Sequence, residues 1–464
     1  MTLLGSTIAA AAPQIGTFGV DETAMDTLVA PGDDFFSYAN GAWFARAAIP
    51  ADQSGVGRMS ALRALSDQRV RLLIEDVAAK TNAPGSAASK IGLLYQDFMD
   101  EPAIERAGAA PLAPRLAAIA AIVSQADLAR AFGQASREDI NVPFRLFVQQ
   151  DLKDNTRNAA YVRQSGLGMP NRDYYLSGDA KLAVVRAAYL QYVATLLRLA
   201  GRPDPDGAAG RIVALETALA RVQWSAVEER DVSKLYNPVP VGGLDAAIPG
   251  LDWHALLAAS HLEHAATLIV FEPTALAEQA RIVASTPLAT WKEYLAFHTI
   301  AAAAPYLAAN FVQADFALDT VMSGTQALAP RAQRGVELVN SALGEAVGRL
   351  YVAAYVTPAA RAQIDAMVRN LASAMDARLA ANAWMSEQTR RQARAKLAAL
   401  AFKIGYPAHW HDYATLTIER GDLPGNMFRA RAFEYDRRRA TLDGPVDRTE
   451  WSMTPRRPTP IRAR

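Results

Sequence analysis

One stretch constrains this chain more than any other. Within residues 359–381, Ile364, Met367, Val368, Leu371, Met375 and Leu379 recur at spacings of three and four, the apolar stripe of an amphipathic helix. A helix striped in this way needs a second layer to cover it, so the spacing predicts one buried face here. A second helix is expected after Ser386, whose hydroxyl can cap free amides while Glu387 meets the positive end of the helix dipole. It should end near Leu400, because Gly405 and Pro407 prevent continuation.

The same alanine- and leucine-rich texture predicts helices over about 60–79, 86–100, 124–135, 180–200, 208–222, 288–309 and 331–352. One region differs. Val142-Pro-Phe-Arg-Leu-Phe-Val-Gln-Gln-Asp151 alternates in part, and a polar Asp154-Asn-Thr-Arg-Asn158 link leads to Ala159-Ala-Tyr-Val-Arg-Gln164. That pattern predicts a β-hairpin, closed into a loop by Gly166, Gly168 and Pro170. No fixed-period repeat runs through the chain. The expected class is mainly α with a small β-hairpin element.

With 464 residues, 51% of them hydrophobic, the chain can bury a large core in more than one lobe. Its 48 Lys+Arg against 47 Asp+Glu leave a formal charge of +1, so no global field favours nucleic acid or an anionic membrane. Arg437-Arg438-Arg439 lie beside Glu434 and Asp436 and are expected to form a solvated helix face. The absence of cysteine excludes disulfides, thiolate metal sites and cysteine nucleophiles. No stretch reaches the roughly 18–20 uninterrupted apolar residues of a membrane span. Residues 1–23 resemble the rear of a secretory signal, degraded in that no Lys or Arg precedes Arg46.

The search for chemistry is largely negative. None of the six histidines begins H-E-x-x-H, which would place two imidazoles one helical turn apart with a glutamate to activate zinc-bound water. His261-Leu-Glu-His264, with His254 seven residues earlier on roughly the same helical face, could bridge a metal; surface histidines are the commoner outcome. His409-Trp-His411 lies in an expected loop. A nucleophile elbow and a P-loop are absent, and Gly166-Leu-Gly168 lacks the rest of a dinucleotide fingerprint. No catalytic or metal residue is therefore assigned, and substrate-binding residues stay open.

Several motifs nevertheless resemble the N-terminal, mostly helical portion of the neprilysin and endothelin-converting-enzyme family of zinc metallopeptidases. They are Pro31-Gly-Asp-Asp-Phe-Phe-Ser-Tyr-Ala-Asn-Gly-Ala-Trp43 with Ile49-Pro50, and Gln164-Ser-Gly-Leu-Gly-Met-Pro-Asn-Arg-Asp-Tyr-Tyr-Leu176. Trp384-Met-Ser-Glu, Lys403-Ile-Gly-Tyr-Pro407, Asp412-Tyr413, Tyr236-Asn-Pro238 and Gly348-Arg-Leu-Tyr351 follow the family pattern too. The first motif is expected to start a helix whose aromatics dock inward. The resemblance implies a large helical lobe of a two-lobed metallopeptidase over 24–455, closing over a zinc lobe and admitting short peptides. In the intact family the setting is periplasmic or extracellular. Two positions that hold a substrate's C-terminus in some members are here Gly55 and Ser60, so that role is not carried over.

Asp447-Arg-Thr-Glu-Trp-Ser-Met-Thr-Pro455 resembles the segment just before the family's Asn-Ala-Tyr-Tyr substrate strand, but the chain continues Arg-Arg-Pro-Thr-Pro-Ile. Codons CGA CGG CCA ACG CCT ATT for Arg456–Ile461 become CCG ACG GCC AAC GCC TAT, Pro-Thr-Ala-Asn-Ala-Tyr, when one leading C is restored. Residues 456–464 are thus expected to be an out-of-frame tail. The resulting expectation is the N-terminal part of a zinc endopeptidase without its zinc helix, inactive alone and holding no cofactor, with an exposed interface for the catalytic lobe. The alternative is a non-catalytic helical module that binds peptides or a partner.

Overall fold

The computed structural model describes residues 21–442, 444–451 and 453–454. The segments 1–20 and 455–464, on which the signal-like start and the out-of-frame tail fall, lie outside the described residues. The chain divides into two compact units: residues up to 60 together with 325–327, and the remainder.

In the first unit, Asp34 caps helix Phe35–Arg46 by accepting from the Ser37 amide at 3.0 Å. Gly41 is required by a close approach, since a Cβ there would lie 2.9 Å from that of Asp26. Gln326 and Ala327 both donate their amides to the Ala51 carbonyl, at 2.8 and 2.9 Å. The expectation that the motif's aromatics dock inward does not hold. Phe35 and Phe36 are both exposed, because the helix has no buried face within this unit, and Phe36 meets Phe44 edge to face at 6.0 Å.

The second unit is helical around one sheet. Strand β1 (Phe144–Gln150) and β2 (Asn158–Gln164) form the expected antiparallel hairpin. Two further strands extend it in the order β1-β2-β4-β3: β4 (Thr267–Val270) runs parallel to β2, and β3 (Asn237–Pro240) pairs antiparallel with β4. Prolines 238 and 240 confine β3 to the edge, where missing amides cost no ladder bond. The main core packs Phe144, Phe132, Trp253, Trp291, Tyr294 and Phe297 between this sheet and the helices. A second core joins Ile74 and Val70 of helix Arg58–Ala78, Ile91 and Leu94 of Ala87–Met99, and Val339 and Leu343 of Arg331–Tyr355.

Most expected helices are present within a few residues, including the Ser386 cap, which accepts from the Thr389 amide at 3.1 Å. The helix expected over 288–309 stops earlier, as Leu288–Ala303, and after a short 3-10 turn a further helix that the sequence reading did not mark, Ala309–Ser323, sets off at 102° to it. Pro305 lies in that turn and cannot supply the amide a continuing helix needs. Among the described residues, helix Ala180–Leu199 is long and apolar enough to cross a membrane; one face, including Tyr189, Val193 and Leu196, packs into the main core.

The stripe on helix Pro358–Ala380 is not buried. Ile364, Met367, Leu371 and Met375 are 45, 55, 59 and 50% exposed, and only Leu379 is covered. Among the described residues the helix's principal partner is Glu387–Ala398, which lies alongside it and is fastened by Arg394 to Asp376 at 2.7 Å. Three-and-four spacing marks an apolar face here, and among the described residues that face stays open.

Candidate functional site

The Gln164–Leu176 motif is where most polar chemistry converges. It leaves the end of β2 with its first side chain fully engaged. Gln164 accepts from the Trp224 amide at 2.8 Å and donates to the Trp224 carbonyl at 3.0 Å and to Glu229 at 2.6 Å. Its own amide donates to Glu272 Oε2 at 2.8 Å. Glu272 is fully buried, and burial pushes its carboxyl up to about 7 against the opposing pull of that amide. Its other oxygen, and Oε1 of Gln279, have no protein donor among the described residues.

The glycines beyond lie flat on aromatic side chains. Gly166 adopts φ +97°, and a Cβ there would approach Pro143 Cα to 2.9 Å. A Cβ on Gly168 would fall 1.7 Å from the Tyr189 hydroxyl. Beneath them sits Glu216, with no exposed surface, accepting from Tyr175 at 2.7 Å and Tyr189 at 3.0 Å and lying 2.8 Å from His298 Nε2. Tyr175 also receives the Met169 amide at 3.0 Å, and Tyr294 donates to the Gly166 carbonyl at 2.8 Å. Burial first, and the Glu216 charge second, hold Tyr175 and Tyr189 well above the usual phenol range, so both remain donors. The loop is therefore bolted to three helices through one buried carboxylate. Sequence reading passed over Glu216 and His298. The available signal was a charge at a core-facing helical position, between Ile212 and Leu219 and among apolar neighbours.

Above the loop opens a cavity of about 420 Å³ lined by eight motif residues and by Arg145, Phe147, Trp224, Glu229 and Arg438. Arg145 pairs with Asp139 at 2.8 Å, Arg163 with Glu229 at 3.3 Å and Arg438 with Glu434 at 2.7 Å. Arg172 is half-buried and donates to the Gln223 carbonyl at 2.5 Å.

The histidines scatter. His254 is exposed on helix Trp253–Ala259, which stops before His261; His261 takes φ +59°, so the shared helical face does not exist. His261 Nδ1 lies 3.4 Å from Asp436, His264 is exposed beside Glu263, and His409 is exposed. His411 lies closest to a ligand set, its Nε2 being 3.4 Å from Glu345 and 3.9 Å from Glu450 without hydrogen-bond geometry to either. Zinc does not fit there. Arg437 donates to the same Glu450 oxygen at 2.6 Å, and the His411 amide takes the other oxygen of Glu345 at 2.7 Å. Among the described residues no three His, Asp or Glu side chains form a metal site.

The same network corrects the arginine run. Arg437 is not solvated: it is half-buried between Glu434, at 2.9 Å, and Glu450, and its charge helps hold the Glu434 carboxyl below the usual range against burial. This pairing ties the Asp447–Glu450 turn, where Asp447 accepts from the Thr449 amide at 2.7 Å, to helix Leu423–Arg439.

The family model for Peptidase family M13 matches residues 31–407. Mouse endothelin-converting enzyme-like 1 is 29% identical over 404 residues, covering 82% of this chain and 51% of the relative. Rat endothelin-converting enzyme 1 is 27% identical over 453 residues, covering 93% and 59%. The chain thus spans about half to three-fifths of the curated relatives it matches. Among solved structures, the inhibitor complex of a Mycobacterium tuberculosis zinc metalloprotease superposes with TM-score 0.89 at 38% identity, over 94% of this chain and 67% of the other. PepO from Lactobacillus rhamnosis, 22% identical with TM-score 0.79 over 92% of this chain and 68% of the other, shares the fold. The mainly helical architecture with its small sheet is that of these peptidases, and the chain belongs to Peptidase family M13.

Proposed function

We propose that this chain is the N-terminal, largely helical portion of a zinc endopeptidase, and that by itself it cleaves no peptide bond and holds no catalytic zinc. The observation that carries the reading is a mismatch of extent. The solved zinc metalloprotease accounts for 94% of this chain, while a third of that relative has no counterpart here. This sequence contains no H-E-x-x-H, and its nearest histidine–carboxylate grouping is already occupied by Arg437. In the whole enzyme, bound zinc would polarise the scissile carbonyl and sharpen a water into a nucleophile. No step of that chemistry falls to the residues described above.

The exposed face of helix Pro358–Ala380 supports the same reading, as a surface on which the remaining portion would seat. Short peptides are the proposed substrates of the whole protein, and the periplasm or the cell exterior its proposed setting. The test is metal content by mass spectrometry together with turnover of a quenched fluorogenic peptide, with and without chelator. Substoichiometric zinc and no chelator-sensitive turnover are expected. One tightly held zinc per chain with chelator-sensitive cleavage would overturn the reading.

A further inference from the structure

The cavity over the glycine loop has a charge pattern that peptide-bond hydrolysis does not call upon. Four guanidiniums, those of Arg145, Arg163, Arg172 and Arg438, stand on its wall against one carboxylate, Glu229. Two of the four are largely neutralised, Arg145 by Asp139 and Arg438 by Glu434. Of the other two, Arg163 is paired with Glu229, and Arg172 is the one left unmatched among the described residues. Arg163 shares Glu229 at 3.3 Å with Gln164, which takes the carboxylate's other oxygen at the shorter distance of 2.6 Å.

Arg172 has no carboxylate within ion-pair reach among the described residues. Its one protein bond there is to the Gln223 carbonyl at 2.5 Å, a neutral acceptor. Glu228 is near enough for its charge to feel Arg172, yet its Oε2 receives both the amide and the hydroxyl of Ser225, at 2.7 and 2.8 Å. A half-buried guanidinium has lost part of its hydration, and an unmatched charge in such a place calls for an anion. Its planar fork suits the paired oxygens of a carboxylate or phosphate.

The floor is equally specific. Gly166 lines the cavity, and a methyl on it or on the neighbouring Gly168 would strike Pro143 or Tyr189, so the loop can lie this close to its support only as glycine. The loop is held from below by Tyr294 on the Gly166 carbonyl and by the Tyr175 and Tyr189 bonds to Glu216. The site is therefore rigid before any ligand arrives, which lowers the ordering cost of binding. A volume of about 420 Å³ accepts a small organic acid.

We propose that this cavity binds a small oxyanion with more than one negative charge, of the polycarboxylate or phosphate class, between Arg163 and Arg172. The proposal is independent of whether the chain hydrolyses peptides. Isothermal titration of the full chain at low ionic strength with citrate, and separately with inorganic phosphate, distinguishes the two sources, and Trp224 on the cavity wall gives a fluorescence readout.

Saturable one-to-one binding of at least one of them is expected. Arg172→Gln should weaken it at least about tenfold, as loss of one charge-assisted fork implies. Arg172→Lys, which keeps the charge and a donor for the Gln223 carbonyl, should weaken it less, and Arg163→Gln should also weaken it. Arg198→Gln, whose residue pairs with Asp206 on an exposed surface, is the control and should bind as the parent does. Absence of saturable binding of both anions, or affinity unchanged in both Arg172→Gln and Arg163→Gln, would overturn the proposal.

Discussion

Replacing Leu371 by Gln tests whether the apolar stripe on helix Pro358–Ala380 is open in solution. Leu371 is 59% exposed, so it withholds about two-fifths of its surface from water. Full burial of a leucine is worth about 1.5–3 kcal/mol, so the covered fraction accounts for roughly 1 kcal/mol at most. Glutamine retains much of the aliphatic stem and nearly the same helix propensity, which brings the expected cost below about 1 kcal/mol. The comparison is Leu343→Ala, where the side chain has no exposed surface and truncation should cost about 2–5 kcal/mol. Urea unfolding followed by circular dichroism reads both, and light scattering across a concentration series reads self-association. The glutamine variant should unfold close to the parent and associate less, because four half-exposed residues form the patch. If Leu371→Gln destabilises a dilute monomer as much as Leu343→Ala does, the stripe is covered and the description of this face is wrong.

Three further perturbations bear on the loop site. Glu272 has a folded-state carboxyl raised from 4.5 to about 7, so the folded chain binds the proton more tightly than the unfolded one. Stability should therefore fall as pH rises from about 4.5 to 7, by at most about 3 kcal/mol, and level off above; Glu272→Gln should flatten that part of a melting-temperature profile. Gly168→Ala drives a methyl into the Tyr189 hydroxyl and should cost about 1–3 kcal/mol by urea unfolding. Glu216→Ala strands two tyrosine hydroxyls and the His298 ring in the core, at an expected cost of about 3–5 kcal/mol, with Glu216→Gln milder. A Glu216→Ala protein that melts with the parent would mean the network is not structural.

Long helices with a core face were legible because three-and-four spacing marks an apolar face, as in Ala180–Leu199 and, on either side of a kink at Leu343, in Arg331–Tyr355. The same spacing in Pro358–Ala380 recorded a face but not its state, since periodicity cannot say whether a cover is present. Helix Leu423–Arg439 was expected only as a solvated face at its arginine run, because its polar positions are engaged through ion pairs such as Arg137 with Asp436 at 2.6 Å, made across hundreds of residues. Strands β3 and β4, four residues each, are too short for alternation to register. The glycine loop was visible as punctuation, yet its cavity was not, because Arg145, Trp224 and Arg438 reach it from separate elements. Spacing gave no reason to discard the His254, His261 and His264 grouping; the positive φ at His261 does.

The parallel pairing of Ala160–Val162 with Leu268–Val270 has a cost in time. The hairpin that carries β2 is local and can form early, but its other neighbour lies about a hundred residues downstream. Closing a loop of that length costs about 4 kcal/mol in chain entropy before a single ladder bond rewards it. The intervening helices must condense first, so one edge of the nascent hairpin waits unpaired during synthesis. Slow maturation, with aggregation competing through that edge, follows from the topology alone.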